Sequence, residues 1–438
     1  MRKHRVDVVL VILAVIFLAV GLLVMYAIGS RVALAEGKPE NTYFVGHVRS
    51  IVMAVIAMLA GAIFFWRDKV QSFWKEHKTQ IIKIFWWGTI ALNIYTSISA
   101  LPLTQCELGA CRWLNVGMSF QPSELLKIAA LFYTAWLVSD RKEKGTYGKA
   151  EFWVPLLVAA ALVVVVVGFL QKDLGNTVVI IFMMGVMSFV AGMTWAQIAI
   201  AGLLVIVGAF ALLNMGDSEH RADRLASFSS GSYHGDNALV SFGTGGLTGV
   251  GIGNSISATG YLPEAISDSI FPIIGEIGGF FGAMLLLIGY LIMLYRIQAT
   301  SHRMKNAEDR MLVIGVFAWI LAHVIMHVGG MVGMIPMKGT TLPFLSYGGS
   351  SLMCVAFAYG IVLQKSCWTQ REDINEDTSS RGRQRGTRDA GYRRRSWDLE
   401  STPTRKSWIL DGQKILQKCP KVGFRKRDGF TSAQNCGW

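Results

Sequence analysis

Charged side chains occur inside long apolar stretches of the sequence, where they are costly enough to suggest a function. Glu124 and Lys127 are separated by three positions, so they share one face of a helix and can pair. They are interpreted either as a structural ion pair or as the lining of a polar cavity for an anionic headgroup. Glu276 follows Asp268 by eight residues, about 12 Å along a helix, and is interpreted as a structural or gating carboxylate.

His323 and His327 are separated by four positions, which is a spacing found in pairs of metal ligands. Neither the glutamate of an HExxH motif nor an evident third ligand accompanies them. A pair of histidines with hydrogen-bond partners inside the protein is therefore favoured over a zinc site.

Asp268 lies in the acidic stretch YLPEAISDSIF (261–271), directly before an apolar run that opens a helix. A carboxylate at this position is stabilised in its ionised form by the positive end of the helix dipole. The alternative is that Asp268 is a simple N-cap, since Asp is a preferred N-cap residue.

The run GTGGLTGVGIGN (243–254) resembles a nucleotide-binding loop only superficially. It contains no G-x-G-x-x-G between a strand and a helix, which a dinucleotide site requires. Its glycines instead predict a tightly turned backbone that packs closely and leaves N–H groups able to meet phosphate oxygens.

The composition determines which kind of protein must position these side chains. Of the 438 residues, 52% are hydrophobic and 16% charged, and the mean hydropathy is +0.42. Soluble domains carry about 25% charged residues, so the chain is predicted to be an all-α integral membrane protein. Runs of about 20 apolar residues predict ten transmembrane helices. They lie near residues 7–28, 48–66, 81–101, 122–139, 152–170, 175–192, 196–214, 269–295, 311–333 and 343–364.

The distribution of Lys and Arg predicts the orientation of the spans. With the N-terminus inside, the inner segments before the tail carry 15 Lys and Arg, and the longer outer segments carry 7. Both termini are therefore predicted to be cytoplasmic. The N-terminal apolar run is longer than that of a signal peptide, which favours an uncleaved anchor. One large extracytoplasmic loop, about 215–268, joins the seventh and eighth helices and is the expected place for a site.

The C-terminal residues differ sharply in composition from the rest of the chain. Residues 366–438 hold 16 Lys and Arg against 9 Asp and Glu. They are predicted to form a disordered cytoplasmic tail attracted to anionic membrane lipids, with no nucleic-acid partner. The chain thus divides into a membrane domain, 1–365, and this tail.

The six cysteines are too few for a disulfide scaffold. Cys106 and Cys111 flank a four-residue turn in a predicted outer loop, where oxidising conditions permit a disulfide. The alternative is two free thiols too far apart to join. The other cysteines, in a span or facing the cytoplasm, are expected to stay reduced: Cys354, Cys367, Cys419 and Cys436.

Several sequence blocks resemble, in order and in spacing, the signature blocks of the SEDS family (shape, elongation, division and sporulation). They are QPSELLKIA (121–129), QKDLGNT (171–177), FGTGGLTGVGIGNS (242–255), YLPEAISDSIFPIIGEIGG (261–279) and GMIPMKGTTLPFLSYGGSS (333–351). The PMKG run, which contains Lys338, looks more like the division-associated FtsW subgroup than the elongation-associated RodA subgroup.

The resemblance implies a peptidoglycan glycosyltransferase that polymerises lipid II in the bacterial inner membrane. Its partners would be a class B penicillin-binding transpeptidase and other division proteins. The family's catalytic aspartate falls on Asp268, although Ser267 and Ser269 stand where Thr and Phe are usual. No organic cofactor is expected, but a divalent cation, Mg²⁺ or Mn²⁺, could bridge Asp268 and the pyrophosphate of the substrate.

Substrate-binding candidates follow from the same assignment. Cations on the outer side could bind the pyrophosphate, and the planar fork of Arg suits phosphate best. These candidates are Arg221, Arg224, Lys127 and Lys338, with Glu124 and Ser346 as further headgroup candidates. The alternatives are a lipid II flippase, an elongation-type polymerase of the same family, and a scaffold that only recruits the transpeptidase.

Overall fold

The computed structural model describes most of the membrane domain. The described residues are 6–64, 68–98, 101–107, 110–115, 117, 119–197, 199, 202, 233–257, 262, 265–335 and 339–367. The chain divides into two units, Met1–Arg371 and Glu372–Trp438, and the second lies outside the described residues. The predicted basic tail is therefore not described beyond residue 367.

Helices form most of the described structure. The first half of the chain contains α1 (Val8–Ala35), α2 (Thr42–Phe64), α3 (Asp68–Thr96), α4 (Pro122–Glu143), α5 (Ala150–Val163) and α6 (Leu174–Val190). A π-helical segment, Val164–Leu170, continues α5. The second half contains α7 (Tyr233–Gly245), α8 (Ile270–His302), α9 (Ala307–Met331) and α10 (Gly349–Ser366).

Five helical segments in the described residues are long and apolar enough to cross a membrane. They are Val8–Ala35, Thr42–Phe64, Ala150–Leu170, Ile270–His302 and Ala307–Met331. Helices also occupy the other predicted spans, except the seventh, whose residues 203–214 lie outside the described residues. The chain is thus a mostly helical membrane protein.

Two predicted helix starts are wrong. The helix α3 begins at Asp68, so the segment predicted as the inner loop 67–80 is helical from that residue. Its charged residues are compatible with a helix, since Lys, Arg and Glu have high helix propensity, and Lys78 pairs with Glu308 on α9 at 2.6 Å. The helix α10 begins at Gly349, later than predicted, because Phe344 has a φ of 67°, which a helix does not allow.

A small antiparallel sheet, which the sequence analysis did not predict, connects α3 and α4. Its strands are β1 (Thr104–Glu107), β2 (Ala110–Asn115) and β3 (Ser119–Phe120), in the order β1-β2-β3. Cys106 lies opposite Cys111 in the pairing of β1 with β2, and a disulfide joins the two residues. Cys354 and Cys367 are buried free thiols.

We expect the double variant Cys106→Ser/Cys111→Ser to lose about 2 kcal/mol of hairpin stability, because the disulfide closes a short loop in the unfolded chain. Hydrogen exchange of the β1–β2 amides measures this loss. Alkylation of the unreduced, denatured protein should modify the buried thiols and leave Cys106 and Cys111 unmodified. Alkylation of either residue in an oxidised sample would contradict the pairing.

The helices α4 and α9 lie in the interior of the bundle. Nearly all of α4 from Pro122 to Ser139 is buried, and so is most of α9. Both pack against α6, and α9 also packs against α10. The polar residues of α4 and α9 therefore contact protein, as charged groups in membrane bundles must.

The two ends of the bundle are distinguished by different contacts. At one end, three ion pairs with N–O distances of 2.6 Å join neighbouring helices. The first links the start of α1 to the end of α8, the second links α3 to the start of α9, and the third links the end of α10 to the start of α9. These pairs are Asp7–Arg296, Lys78–Glu308 and Lys365–Asp309. At the other end, Arg31 of α1 donates to the carbonyl of Ser255 at 3.1 Å. Asp268, at the start of α8, lies at this second end.

Candidate functional site

Asp268 lies two residues before the first residue of α8. The helix begins at Ile270, and its N-cap residue is Ser269. Ser269 thus holds the N-cap position, and the interpretation of Asp268 as a simple N-cap stays an alternative to a catalytic role. Its side chain is half-buried, whereas Ser269 and Ile270 are fully buried.

The carboxylate of Asp268 lies against the backbone of Gly339. A Cβ atom added to Gly339 would be 2.7 Å from Asp268 Oδ2 and 3.6 Å from its Cγ. Any larger residue at 339 would displace the carboxylate or the segment that contains it. The block 333–351 is thus in direct contact with the block 261–279, as a single site requires.

Asp173 is the centre of a buried polar network beside this contact. Its side chain caps α6 by accepting from the amide of Asn176 at 3.0 Å, and it accepts from Gln121 Nε2 at 2.8 Å. A Cβ atom on Gly175 would be 3.6 Å from both Asp173 Oδ1 and the carbonyl oxygen of Gly339. The start of α6 therefore borders the segment that contacts Asp268. The sequence analysis missed Asp173, although a carboxylate before an apolar helix was a usable signal.

The two histidines of α9 bind the next two carbonyls of that segment. His327 Nδ1 lies 2.7 Å from the carbonyl oxygen of Thr340, and His323 Nδ1 lies 2.9 Å from that of Thr341. Both rings are 1% exposed. This is the partnered pair that the sequence analysis favoured over a zinc site.

Glu124 and Lys127 form an ion pair inside the bundle. Lys127 is fully buried, and its Nζ lies 2.8 Å from Glu124 Oε1 and 3.0 Å from His323 Nε2. The ammonium also lies 5.5 Å from the ring centroid of Trp319, within the range of a cation–π interaction. These contacts correspond to the structural interpretation of the pair and leave Lys127 within the protein interior.

Ser346, a headgroup candidate by sequence, makes a structural contact in the folded protein. The residue is 2% exposed, and its hydroxyl accepts from the amide of Leu342 at 2.8 Å. Its own amide donates to the carbonyl of Leu342 at 3.1 Å. The hydroxyl closes a turn in the segment before α10.

Glu276 anchors the glycine-rich run. Its buried carboxylate accepts from the Ser255 hydroxyl at 2.5 Å and from the amides of Ile256 and Ser257 at 3.0 and 3.3 Å. The contacts describe a structural carboxylate, which was one of the two interpretations of this residue.

The helix α8 is broken next to Glu276, at Gly279, where φ is 65°. The amides of Val250 and Gly251 donate to the carbonyls of Glu276 and Ile277, and the amide of Phe280 donates to the carbonyl of Gly246. The glycine-rich run thus supplies the partners that the broken helix lacks. Its close backbone packing agrees with the sequence analysis.

We expect Gly249→Ala to destabilise the protein by about 2–4 kcal/mol, from strain and overpacking together. Gly249 has a φ of 83°, and a Cβ atom there would collide with the carbonyl of Ile277. Thermal unfolding in detergent measures the loss. Gly243→Ala is the matched control, because that exposed helical glycine has open space around it and should tolerate Ala. Equal stability of the two variants would contradict this packing.

The remaining predicted cations cannot be placed. Arg221, Arg224 and Lys338 lie outside the described residues. Among the residues that are described, no group of three or more His, Cys, Asp or Glu side chains could hold a metal ion.

Comparison with known proteins identifies a family for this chain. The family profile described as "Cell cycle protein", named for FtsW, RodA and SpoVE, matches residues 7–370. A protein of Enterococcus hirae named "Probable peptidoglycan glycosyltransferase FtsW" is 30% identical over 368 residues, covering 79% of this chain and 88% of that protein. "Stage V sporulation protein E" of Bacillus subtilis is 28% identical over 379 residues, covering 84% of this chain and 99% of that protein.

Solved structures share the fold. The rod shape determining protein RodA of Thermus thermophilus matches with a TM-score of 0.58 at 22% identity, covering 82% of this chain and 96% of that chain. A structure titled "Structural coordination of polymerization and crosslinking by a peptidoglycan synthase complex" matches with a TM-score of 0.64 at 21% identity, covering 82% of this chain and 97% of that chain.

Proposed function

Because the chain belongs to the FtsW, RodA and SpoVE family of cell cycle proteins, we propose that it polymerises lipid II into glycan strands during septal cell-wall synthesis. The observation that carries the proposal is the placement of Asp268. Its carboxylate is half-buried, lies at the end of the bundle opposite the ion pairs of α1 and α10, and meets Gly339. A carboxylate in this setting can take a proton from a bound hydroxyl.

The proposed reaction is a single displacement with inversion. The 4-hydroxyl of the acceptor N-acetylglucosamine attacks the anomeric carbon of the donor N-acetylmuramic acid. The new glycosidic bond forms as the bond to undecaprenyl pyrophosphate breaks, so an α-linked donor gives a β-1,4-linked product. Asp268 accepts the hydroxyl proton, and positive charge near the site stabilises the departing pyrophosphate.

The cationic partners of the pyrophosphate are proposed from the outer segments. Arg221, Arg224 and Lys338 remain candidates by sequence, because their positions are not described. Lys172 is a further candidate: it is exposed and directly precedes Asp173 of the polar network. A divalent cation held by Asp268 and the pyrophosphate would neutralise phosphate charge.

The proposed function also implies an orientation of the protein in the membrane. The end of the bundle that contains the start of α1 and the end of α10 is proposed to face the cytoplasm, and Asp268 the outer side of the inner membrane. The positive charge of the inner segments supports this placement. A class B penicillin-binding transpeptidase is the proposed partner, because a peptidoglycan synthase complex that coordinates polymerization with crosslinking shares this fold.

Polymerisation of purified lipid II in detergent, with a class B transpeptidase added, tests the proposal. A polymerase needs no sealed bilayer, so glycan chains should form. A flippase, the alternative function, requires a two-sided membrane and would yield no polymer in detergent. Headgroup translocation in vesicles without polymer formation in either setting would overturn the proposal.

A further inference from the structure

Residues 339–341, which contain the contact to Asp268, belong to neither a helix nor a strand. No regular backbone ladder therefore fixes the position of this segment, and tertiary contacts must do so. The contacts to its last two carbonyls come from His327 and His323, one helical turn apart on α9.

The protonation of the His323 ring is set by its neighbours. The ammonium of Lys127 lies 3.0 Å from Nε2 and can only donate, so Nε2 accepts and Nδ1 carries the ring proton. Nδ1 then donates to the carbonyl of Thr341 at 2.9 Å. Because Lys127 is also paired with Glu124, the ring is held from α4 as well as from α9.

The second histidine acts through the same ring atom. His327 Nδ1 lies 2.7 Å from the carbonyl of Thr340, so it donates to that oxygen. Its Nε2 is buried without a hydrogen-bond partner among the described residues. The bond to Thr340 is therefore the polar contact through which this ring can act on the segment.

We propose that His323 and His327 are positioning residues that hold residues 339–341 where Gly339 fixes the carboxylate of Asp268. Thr340 directly follows Gly339, and a Cβ atom on Gly339 would be 2.7 Å from Asp268 Oδ2. A movement of the segment by about 1 Å would therefore move the carboxylate, and errors of that size can cost about 10²-fold in rate. This inference rests on the proposed function, in which Asp268 is the general base.

Substitutions at His327 distinguish the effect of its hydrogen bond to Thr340 from the effect of the imidazole ring itself. Asn places its amide nitrogen as many bonds from Cα as Nδ1, so His327→Asn can keep the bond to Thr340, whereas His327→Leu cannot. We expect His327→Leu to lower kcat for lipid II by about 10- to 100-fold with KM within about threefold, since the substrate contacts remain. His327→Asn should recover most of that loss. If His327→Asn is folded and as slow as His327→Leu, the positioning role is wrong.

A cross-link reports the position of the segment without any activity. The pair Asp268→Cys/Gly339→Cys removes the oxygen that a Cβ at 339 would meet. A Cβ atom at 339 would be 3.6 Å from Cγ of Asp268, the atom that the sulfur replaces, so we expect the two thiols to be close enough for a disulfide. We expect mass spectrometry to find this disulfide with His327 or His327→Asn present, and at least about fivefold less with His323→Leu/His327→Leu. Equal yields in all backgrounds would overturn the inference.

The kinetic and the cross-linking experiments together also distinguish failure of this inference from failure of the proposed function. Suppose that Asp268→Asn still polymerises lipid II while the yield of the cross-link depends on the histidines. In that case the assignment of Asp268 as the general base is wrong, and the positioning of residue 268 by the histidines is supported. Leu312→Ala is the matched control for loss of packing on α9, because Leu312 is 2% exposed. It should lower the unfolding temperature and leave both kcat and the cross-link unchanged.

Discussion

Asp268→Asn is expected to reduce lipid II polymerisation in detergent by at least about 10²–10⁴-fold, the range that loss of a general base produces. The substitution keeps the size of the side chain and removes the oxygen that accepts the proton. Ser269 occupies the N-cap position of α8, and Asn keeps much of the capping ability of Asp. Thermal stability and transpeptidase binding should therefore stay near wild type.

Glu264→Gln is the control for this variant, since it neutralises a carboxylate four residues earlier in the sequence. It should keep most of the activity. Polymerisation by Asp268→Asn at more than about a tenth of the wild-type rate would exclude Asp268 as the base. Equal loss in both variants with unfolding would mean that the segment before α8 has a structural role only.

Lys127→Met is expected to lower the free energy of unfolding by about 3–5 kcal/mol, because it leaves the charge of Glu124 buried without its partner. The carboxylate is almost fully buried, with a side-chain exposure of 4%. Thermal unfolding in detergent measures the loss. Polymerisation should also fall, since His323 loses the group that fixes its ring.

The double variant Glu124→Gln/Lys127→Met tests the cause of that loss. Removing both charges should restore much of the stability, because an apolar or neutral pair avoids the unpaired charge. Lys144→Met is the exposed control: Lys144 pairs with Asp140 at 2.8 Å but is 58% exposed, so we expect a change below about 0.5 kcal/mol. If the double variant is less stable than Lys127→Met, the unpaired carboxylate is not the cause.

Features that depend on composition and short-range spacing were predictable from the sequence. Apolar runs predicted the membrane class and the helices, because a span must bury its backbone polar groups within itself. The spacing of Glu124 and Lys127 predicted their pairing, and the glycine content of 243–254 predicted close backbone packing. Each of these follows from residues that are near one another in the chain.

Contacts with distant segments could not be predicted from the sequence. Lys127 was a headgroup candidate by residue type, and in the structure its ammonium lies against His323, 196 positions away. The sheet between α3 and α4 and the late start of α10 were missed for a related reason. Short strands and a single left-handed residue leave no periodic signal in the sequence.

The sequence by itself determined that this chain is a helical membrane protein with an acidic residue before a helix and a family-like set of blocks. Only the tertiary structure decided that Gly339, 71 positions from Asp268, meets its carboxylate, and that the histidines of α9 hold the next two carbonyls. The reason is physical. Hydropathy and spacing specify which groups leave water, whereas the path of an irregular segment is set by hydrogen bonds formed after the helices have packed.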